Sequence, residues 1–157
     1  LMATCADLFD GKLPEGAGED SVSFLPALLG TATVPLRENL VSQSINGSFA
    51  IRQGNWKLAL CPGSGGWSAP KPGSPEHKGL PEFQLFDLTA DPSETKNLAA
   101  EHPDRVAAMK ARMESLIARG RSTDGPDLQN DVPIQLIKPT PSAAKKKAKA
   151  KGPAKDK

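Results

Sequence analysis

The stretch from Ile45 to Leu60 limits what this chain can fold into more than any other. It reads Ile-Asn-Gly-Ser-Phe-Ala-Ile-Arg-Gln-Gly-Asn-Trp-Lys-Leu-Ala-Leu. Phe49 and Ile51 alternate with Ala50 and Arg52, and Trp56, Leu58 and Leu60 alternate with Lys57 and Ala59. Gln53-Gly54-Asn55 stands between the two runs. Period-two patterns around a short glycine-containing turn predict an antiparallel hairpin. Alternate strand residues point to the same side, so Phe49, Ile51, Trp56, Leu58 and Leu60 can share one buried face.

Other segments supply partners for that face. Phe83 to Leu88 resumes the alternation, with Phe83, Leu85 and Asp87 on one side, and predicts a third strand. Arg37 to Ser44 is expected to be extended, with Leu40 and Ile45 pointing inward. Pro103 suits the first position of a helix. After it, Val106, Met109, Met113, Leu116 and Ile117 fall on one helical face, with Arg112 on the outer one. Asp104 in the first turn and Arg119 in the last suit the helix dipole, and Gly120 suits its cap. Leu1, Cys5, Leu8 and Phe9 read as the end of an amphipathic helix closed by Asp10-Gly11-Lys12, with Gly11 as the left-handed cap. Ser21 to Leu29 predicts a short helix capped by Asp20 or Ser21 and ended by Gly30. The expected fold class is α+β. A small antiparallel sheet, made of the hairpin plus a third strand with a fourth left open, is packed by one long C-terminal helix.

Between the hairpin and the third strand, Cys61 to Pro81 is crowded with Gly and Pro and reads as a long loop. A loop of that length inside a compact domain is often functional. Trp67, among Gly65, Gly66 and Ser68, could stack on a sugar or aryl ring or pin the loop to its own domain. His77 and His102 have no partner visible by spacing and are expected at the surface. Asn46-Gly47 reads as a turn, although Asn46-Gly47-Ser48 also fits a glycosylation sequon.

With 157 residues the chain is expected to form one domain plus tails. It opens on Leu1 within a helical pattern, which suggests a fragment of something longer. No run of about 18 apolar residues marks a membrane span. Cys5 and Cys61 are too few and too far apart for a disulfide framework or a zinc site, and are expected to be reduced and partly buried. The net charge of +2 hides an asymmetry. Of 20 Lys and Arg and 18 Asp and Glu, 8 Lys and one Asp lie in residues 138–157, leaving 12 against 17 before them. The body is therefore mildly acidic, and the segment from Lys138 is a basic, Pro- and Ala-rich tail expected to be disordered.

Four stretches in order resemble the C-terminal part of the sulfatase family, of the bacterial arylsulfatase type. Leu1 to Phe9 looks like the last helix of the catalytic domain, and Asp20 to Gly30 like the link that follows it. Phe49 to Leu58 looks like the family's C-terminal hairpin. Leu85-Phe86-Asp87-Leu88, with Asp91-Pro92-Ser93-Glu94 and Asn97-Leu98, is similar to its strand-and-turn signature. The resemblance divides the chain into 1–30, end of the catalytic domain and linker; 31–122, an α+β subdomain; and 123–157, a flexible tail.

The resemblance implies hydrolysis of sulfate esters by a formylglycine nucleophile, with a calcium ion steadying the sulfate oxygens. The formylglycine arises from Cys or Ser in a Cys/Ser-x-Pro-x-Arg motif. Cys5 and Cys61 lack that context, and Thr33-Val34-Pro35-Leu36-Arg37 begins with a residue that cannot become the aldehyde. Nucleophile and calcium are therefore expected in an N-terminal domain outside this chain, with no catalytic residue and no metal site within it. Ser44, Asn46, Arg52, Lys57, Ser64 and Trp67 are the candidates for shaping the substrate pocket. Expected partners are the catalytic domain and a sulfated small molecule or polysaccharide, with no membrane. A periplasmic or secreted location is implied for the parent. A competing reading takes the Lys-rich tail as a module for polyanions or nucleic acid. No aromatic residue interleaves its lysines, so base stacking has no carrier. A third reading, a carbohydrate-binding sheet, rests on Trp56 and Trp67.

Overall fold

The computed structural model describes residues 1–138. The expected disorder of the Lys-rich tail falls, from residue 139 on, outside them. Four strands form one antiparallel sheet in sequence order: β1 Asn39–Gln43, β2 Phe49–Gln53, β3 Trp56–Ala59 and β4 Gln84–Asp87. Helices α1 Met2–Leu8 and α2 Leu25–Leu28 precede the sheet, and α3 Pro103–Arg119 follows it. The α+β reading holds, and the extended segment before the hairpin is the fourth strand.

The hairpin register explains the core. Gln53 pairs with Trp56, so the turn has two residues, and Gly54 takes a φ of 57° that side chains rarely adopt. Pairing then aligns Val41, Ile51, Leu58 and Leu85 in one row across the sheet. Ile51, Leu58 and Leu85 are wholly buried, and Leu60 nearly so. Val106, Met109, Met113 and Leu116 of α3 close over them, with Ile117 at the edge. Each such side chain contributes roughly 1.5–3 kcal/mol by leaving water. Gly120 ends α3 in the left-handed conformation, as its sequence position predicts.

Several local expectations are corrected. Leu40 pairs with Arg52 and so points away from α3, half exposed, while Val41 takes the inward place. A shift of one residue in parity exchanges the two faces of a strand. Ile45 lies in the turn beyond β1 and is 67% exposed. Asp10, not Gly11, takes the left-handed conformation after α1. Its N–H donates to the Asp7 carbonyl and that of Gly11 to the Ala6 carbonyl, which closes the helix without glycine at the strained position. Phe24, rather than Asp20 or Ser21, precedes α2, and Ser21 Oγ instead accepts from the Ala3 N–H. Arg112 is not free on the outer face of α3: it lies 3.7 Å from Glu38, and the flipped Asn39 amide oxygen accepts from it at 3.1 Å. His77 is buried rather than at the surface.

Cys5 is exposed, and only Cys61 is half-buried. Burial pushes the Cys61 thiol pKa up, against the lowering effects of its hydrogen bond with Ser48 and of nearby Lys57. A thiol reagent at pH 8 should therefore label Cys5 quickly and Cys61 more slowly. Equal labelling rates in the native protein would show that the loop over Cys61 opens freely.

The turn after β4 is built on Asp91. Its carboxylate accepts from the backbone N–H of Lys96 at 2.8 Å and of Thr95 at 2.7 Å. The Lys96 hydrogen bond is the leading cause of a lowered Asp91 pKa. A carboxylate depressed in the folded state lends stability above its unfolded pKa and loses it as pH falls through the folded one. The turn should thus hold at neutral pH and loosen only on acidification below the ordinary aspartate range. The Thr95 and Lys96 amide resonances should follow that titration, and Asp91→Ala should abolish the response.

Candidate functional site

The sheet face turned away from α3 carries the candidate site. Its register sets two rows across the four strands. Ser42, Ala50, Ala59 and Gln84 form one, and Leu40, Arg52, Lys57 and Phe86 the other. The first row is low and the second tall, so a groove runs along the first. The wall opposite the tall row comes from the turn after β1 and the loop after β3, through Ser44, Ser48, Cys61, Gly63 and Ser64.

That loop is held in place by polar side chains. Ser44 donates its hydroxyl to the Gly65 carbonyl at 2.6 Å and accepts from the Ser48 N–H. Ser64 donates to the Ser68 carbonyl at 2.6 Å and accepts from the Gly66 N–H. Gln84 spends both amide protons on the carbonyls of Cys61 and Gly63. His77 sits in a 3-10 turn, Pro75–His77, with Nε2 3.2 Å from the Pro62 carbonyl, so the tautomer protonated at Nε2 donates there. Gly65 lies against Cys61 and Ser48 so closely that a Cβ would come 2.7 Å from Sγ. A tight backbone approach is what requires glycine here.

The six residues singled out from sequence separate into different places. Ser44, Lys57 and Ser64 all line the groove. Both serines spend their hydroxyls on anchoring the loop, so they shape the wall. Lys57 is ion-paired, with Nζ 2.7 Å from both carboxylate oxygens of Glu94. Arg52 lies in the tall row and donates Nε to the Gly54 carbonyl. Asn46 is exposed in the turn where Gly47 donates to the Ser44 carbonyl. Trp67 stands out from the loop, 73% exposed, next to Gly66, whose added Cβ would touch exposed Ile45. It does not pin the loop to its own domain.

Sequence reasoning missed Glu94, Ser42 and Gln84. Glu94 is a non-glycine residue at φ 55°, fixed by the Asp91 turn and brought across to Lys57 from 37 residues away. No local pattern encodes such a pairing. Ser42 and Gln84 were legible only as outward positions of strands whose register was not yet known.

No group of three or more His, Cys, Asp or Glu among the described residues could hold a metal ion. The donor set does not fit a calcium site, and neither cysteine stands in the motif that yields formylglycine. No chemical step through either group is assigned to this chain.

A curated N-acetylgalactosamine-6-O-sulfatase from Bacteroides thetaiotaomicron is 36% identical over 122 residues. The chain matches a sulfatase C-terminal region. The aligned part is 76% of this chain and 23% of that protein, so the chain spans about a quarter of the length of the relative it matches. A solved structure described under the metabolism of multiple glycosaminoglycans by Bacteroides thetaiotaomicron is 35% identical, with a TM-score of 0.59. The match covers 74% of this chain and 24% of that structure's. A 2-O GAG sulfatase, 21% identical with a TM-score of 0.51 over 76% of this chain and 24% of its own, shares the fold. No family model matches the chain.

Proposed function

We propose that the protein carrying this sulfatase region hydrolyses sulfate esters, and that the region steadies the catalytic domain and shapes one wall of its substrate pocket. The identity of 36% to a curated sulfatase, over most of this chain, carries the reading. The apolar side chains of the first two helices support the steadying role. Leu1, Leu8 and Phe9 around α1, and Leu28 and Leu29 around α2, are each more than 60% exposed. Side chains of this kind gathered in one segment mark a surface that another body covers. The anchored loop and the groove beside it support the pocket-shaping role, with Ser44, Ser64 and Lys57 lining the groove and Trp67 exposed on the loop. Asn46 and Arg52 flank it. Calcium and the formylglycine nucleophile belong to the catalytic domain, and a periplasmic or secreted location follows from the same resemblance.

The assay that tests this uses a chromogenic aryl sulfate with added calcium. The parent protein should release sulfate, and the 157-residue chain alone should show no turnover above a heat-killed control. Turnover by the isolated chain would place a nucleophile here that its residues do not supply.

The basic segment favours a second, additive role. Residues 138–157 carry 8 Lys against one Asp. Such a charge attracts polyanions through long-range forces that salt screens. Deleting residues after Ile137 should reduce retention on heparin at low salt and make no difference at high salt. Unchanged retention at low salt would remove the tail from any binding role.

A further inference from the structure

We infer that the cleft between the edge strand β1 and the C-terminal end of α3 is a binding site for a small monocarboxylic acid with an apolar tail. It lies on the α3 side of the sheet, away from the outer groove. β1 pairs only with β2, so its other side has no strand to cover it. After Gly120 the chain folds back. The Leu128 N–H donates to the Arg119 carbonyl at 2.8 Å, and Asn130 Nδ2 donates to the Ile117 carbonyl at 2.7 Å. The returning segment puts Ile134 in the wall of a cleft of about 290 Å3 that Val41, Phe49 and Ile117 also line. Those three are only half-buried against the core, and Ile134 is 38% exposed, so apolar surface is left to the cleft. Ligand pockets run from roughly 300 to 1,000 Å3, so a space of this size suits a small molecule.

Two arginines give the cleft its charge. Arg37 and Arg121 both line it, and neutral acceptors steady each of them. Arg37 Nη2 donates to the Asp20 carbonyl at 3.1 Å. Arg121 donates Nη1 to the Pro126 carbonyl at 3.1 Å and Nη2 to Thr123 Oγ1 at 3.0 Å. Neither forms an ion pair among the described residues. The Arg121 Nε–H is buried and has no acceptor among them. A buried donor without an acceptor is unfavourable, and a guanidinium fork fits a carboxylate through two parallel N–H bonds. Asp20 is the one carboxylate in the lining, and its Oδ1 accepts from the Ser122 N–H at 2.9 Å. Two guanidinium groups against one carboxylate leave the lining with a single net positive charge. An apolar wall beside one excess cation matches a ligand with an apolar body and one negative charge.

The test titrates the full 157-residue chain, labelled with nitrogen-15, with octanoate, octanol, acetate and octyl sulfate in turn. Octanoate should give saturable shifts at the amides of Val41, Ile117, Arg121 and Asn130. Octanol lacks the charge and acetate the tail, so each should bind about tenfold more weakly than octanoate. Octyl sulfate should bind no more tightly than octanoate. Arg121→Met keeps the apolar stem and removes the guanidinium, and should weaken octanoate about fivefold or more. Arg37→Met should do the same, and it serves if Arg121→Met fails to fold. Ile134→Glu, at a partly exposed position, puts a second carboxylate in the wall and should weaken octanoate about tenfold while the melting temperature stays that of the wild type. Absent saturable shifts, octanol or acetate binding as tightly as octanoate, tighter binding of octyl sulfate, or an octanoate affinity indifferent to Arg37→Met and Ile134→Glu would each overturn the inference.

Discussion

Met113→Asp should leave the domain unfolded at 25 °C. Met113 is 1% exposed and lies in α3 over the buried row that includes Ile51 and Leu58. The substitution removes an apolar side chain from the core and puts an unpaired carboxylate in its place. No cation among the described core residues can pair with it, since those closing the cluster are Val106, Met109, Leu116 and the sheet's aliphatic side chains. An uncompensated buried charge costs about 3–5 kcal/mol, and the lost burial adds about 2 more. Domains of this size have a net stability on the order of 5–15 kcal/mol, so the sum is enough to tip the balance. Ala111→Asp, two residues away on the exposed side of α3, should stay within about 0.5 kcal/mol of the wild type. Met113→Leu keeps the volume and should cost less than about 1.5 kcal/mol. Circular dichroism and urea titration of the three variants measure this. A cooperative transition for Met113→Asp near that of Ala111→Asp would mean that α3 does not close the core.

Trp56→Ala should cost about 3 kcal/mol, and Trp67→Ala should cost less than about 0.5. The two tryptophans are chemically identical, so the contrast isolates their surroundings. Trp56 packs against the core, with the His102 ring edge-on at 5.2 Å and the Arg105 guanidinium 4.4 Å from its ring centre. The ring is half-buried, which holds the expected loss to the lower end of the range for a large aromatic. The cation–π contact accounts for about 0.5–1 kcal/mol of it. Trp67 stands 73% exposed and has little packing to lose. Thermal melts should therefore separate the variants by roughly 10 °C. Equal shifts would mean that the loop carrying Trp67 is docked against its own domain, and that its side chain is not free to meet a ligand.

The sequence by itself determined the hairpin, the third strand and the long helix. Each rests on a short-range rule: strand residues alternate, helical residues recur on one face, and glycine marks the positions where the chain must turn. Ile51, Leu58, Leu85, Met109 and Met113 were legible as core because each sits within a run whose period fixes its side. Met113 and Leu58 could be read as meeting across elements because the hairpin and the helix each had only one apolar face to offer. The match to sulfatases was legible separately, as a resemblance carried by the residues of four stretches in order rather than by their period.

What only the tertiary structure decided lies where the period was short or broken. Leu40 and Val41 are adjacent apolar residues in one strand, and nothing local says which is inward. Pairing with Arg52 and Ile51 decided it. His77 has no apolar pattern around it, yet the folded loop buries it against the Pro62 carbonyl. Ser44 and Ser64 were legible as polar residues near a site, but their hydroxyls turned out to hold the loop, because carbonyls of Gly65 and Ser68 come within reach only after folding. The groove itself has no sequence signature. It exists because Ser42, Ala50, Ala59 and Gln84, scattered along the chain, are aligned by hydrogen bonds between strands. Its ion pair exists because a turn fixed by Asp91 carries Glu94 back to Lys57. Contacts between residues far apart in the chain depend on register and turn geometry together, and those are properties of the folded sheet.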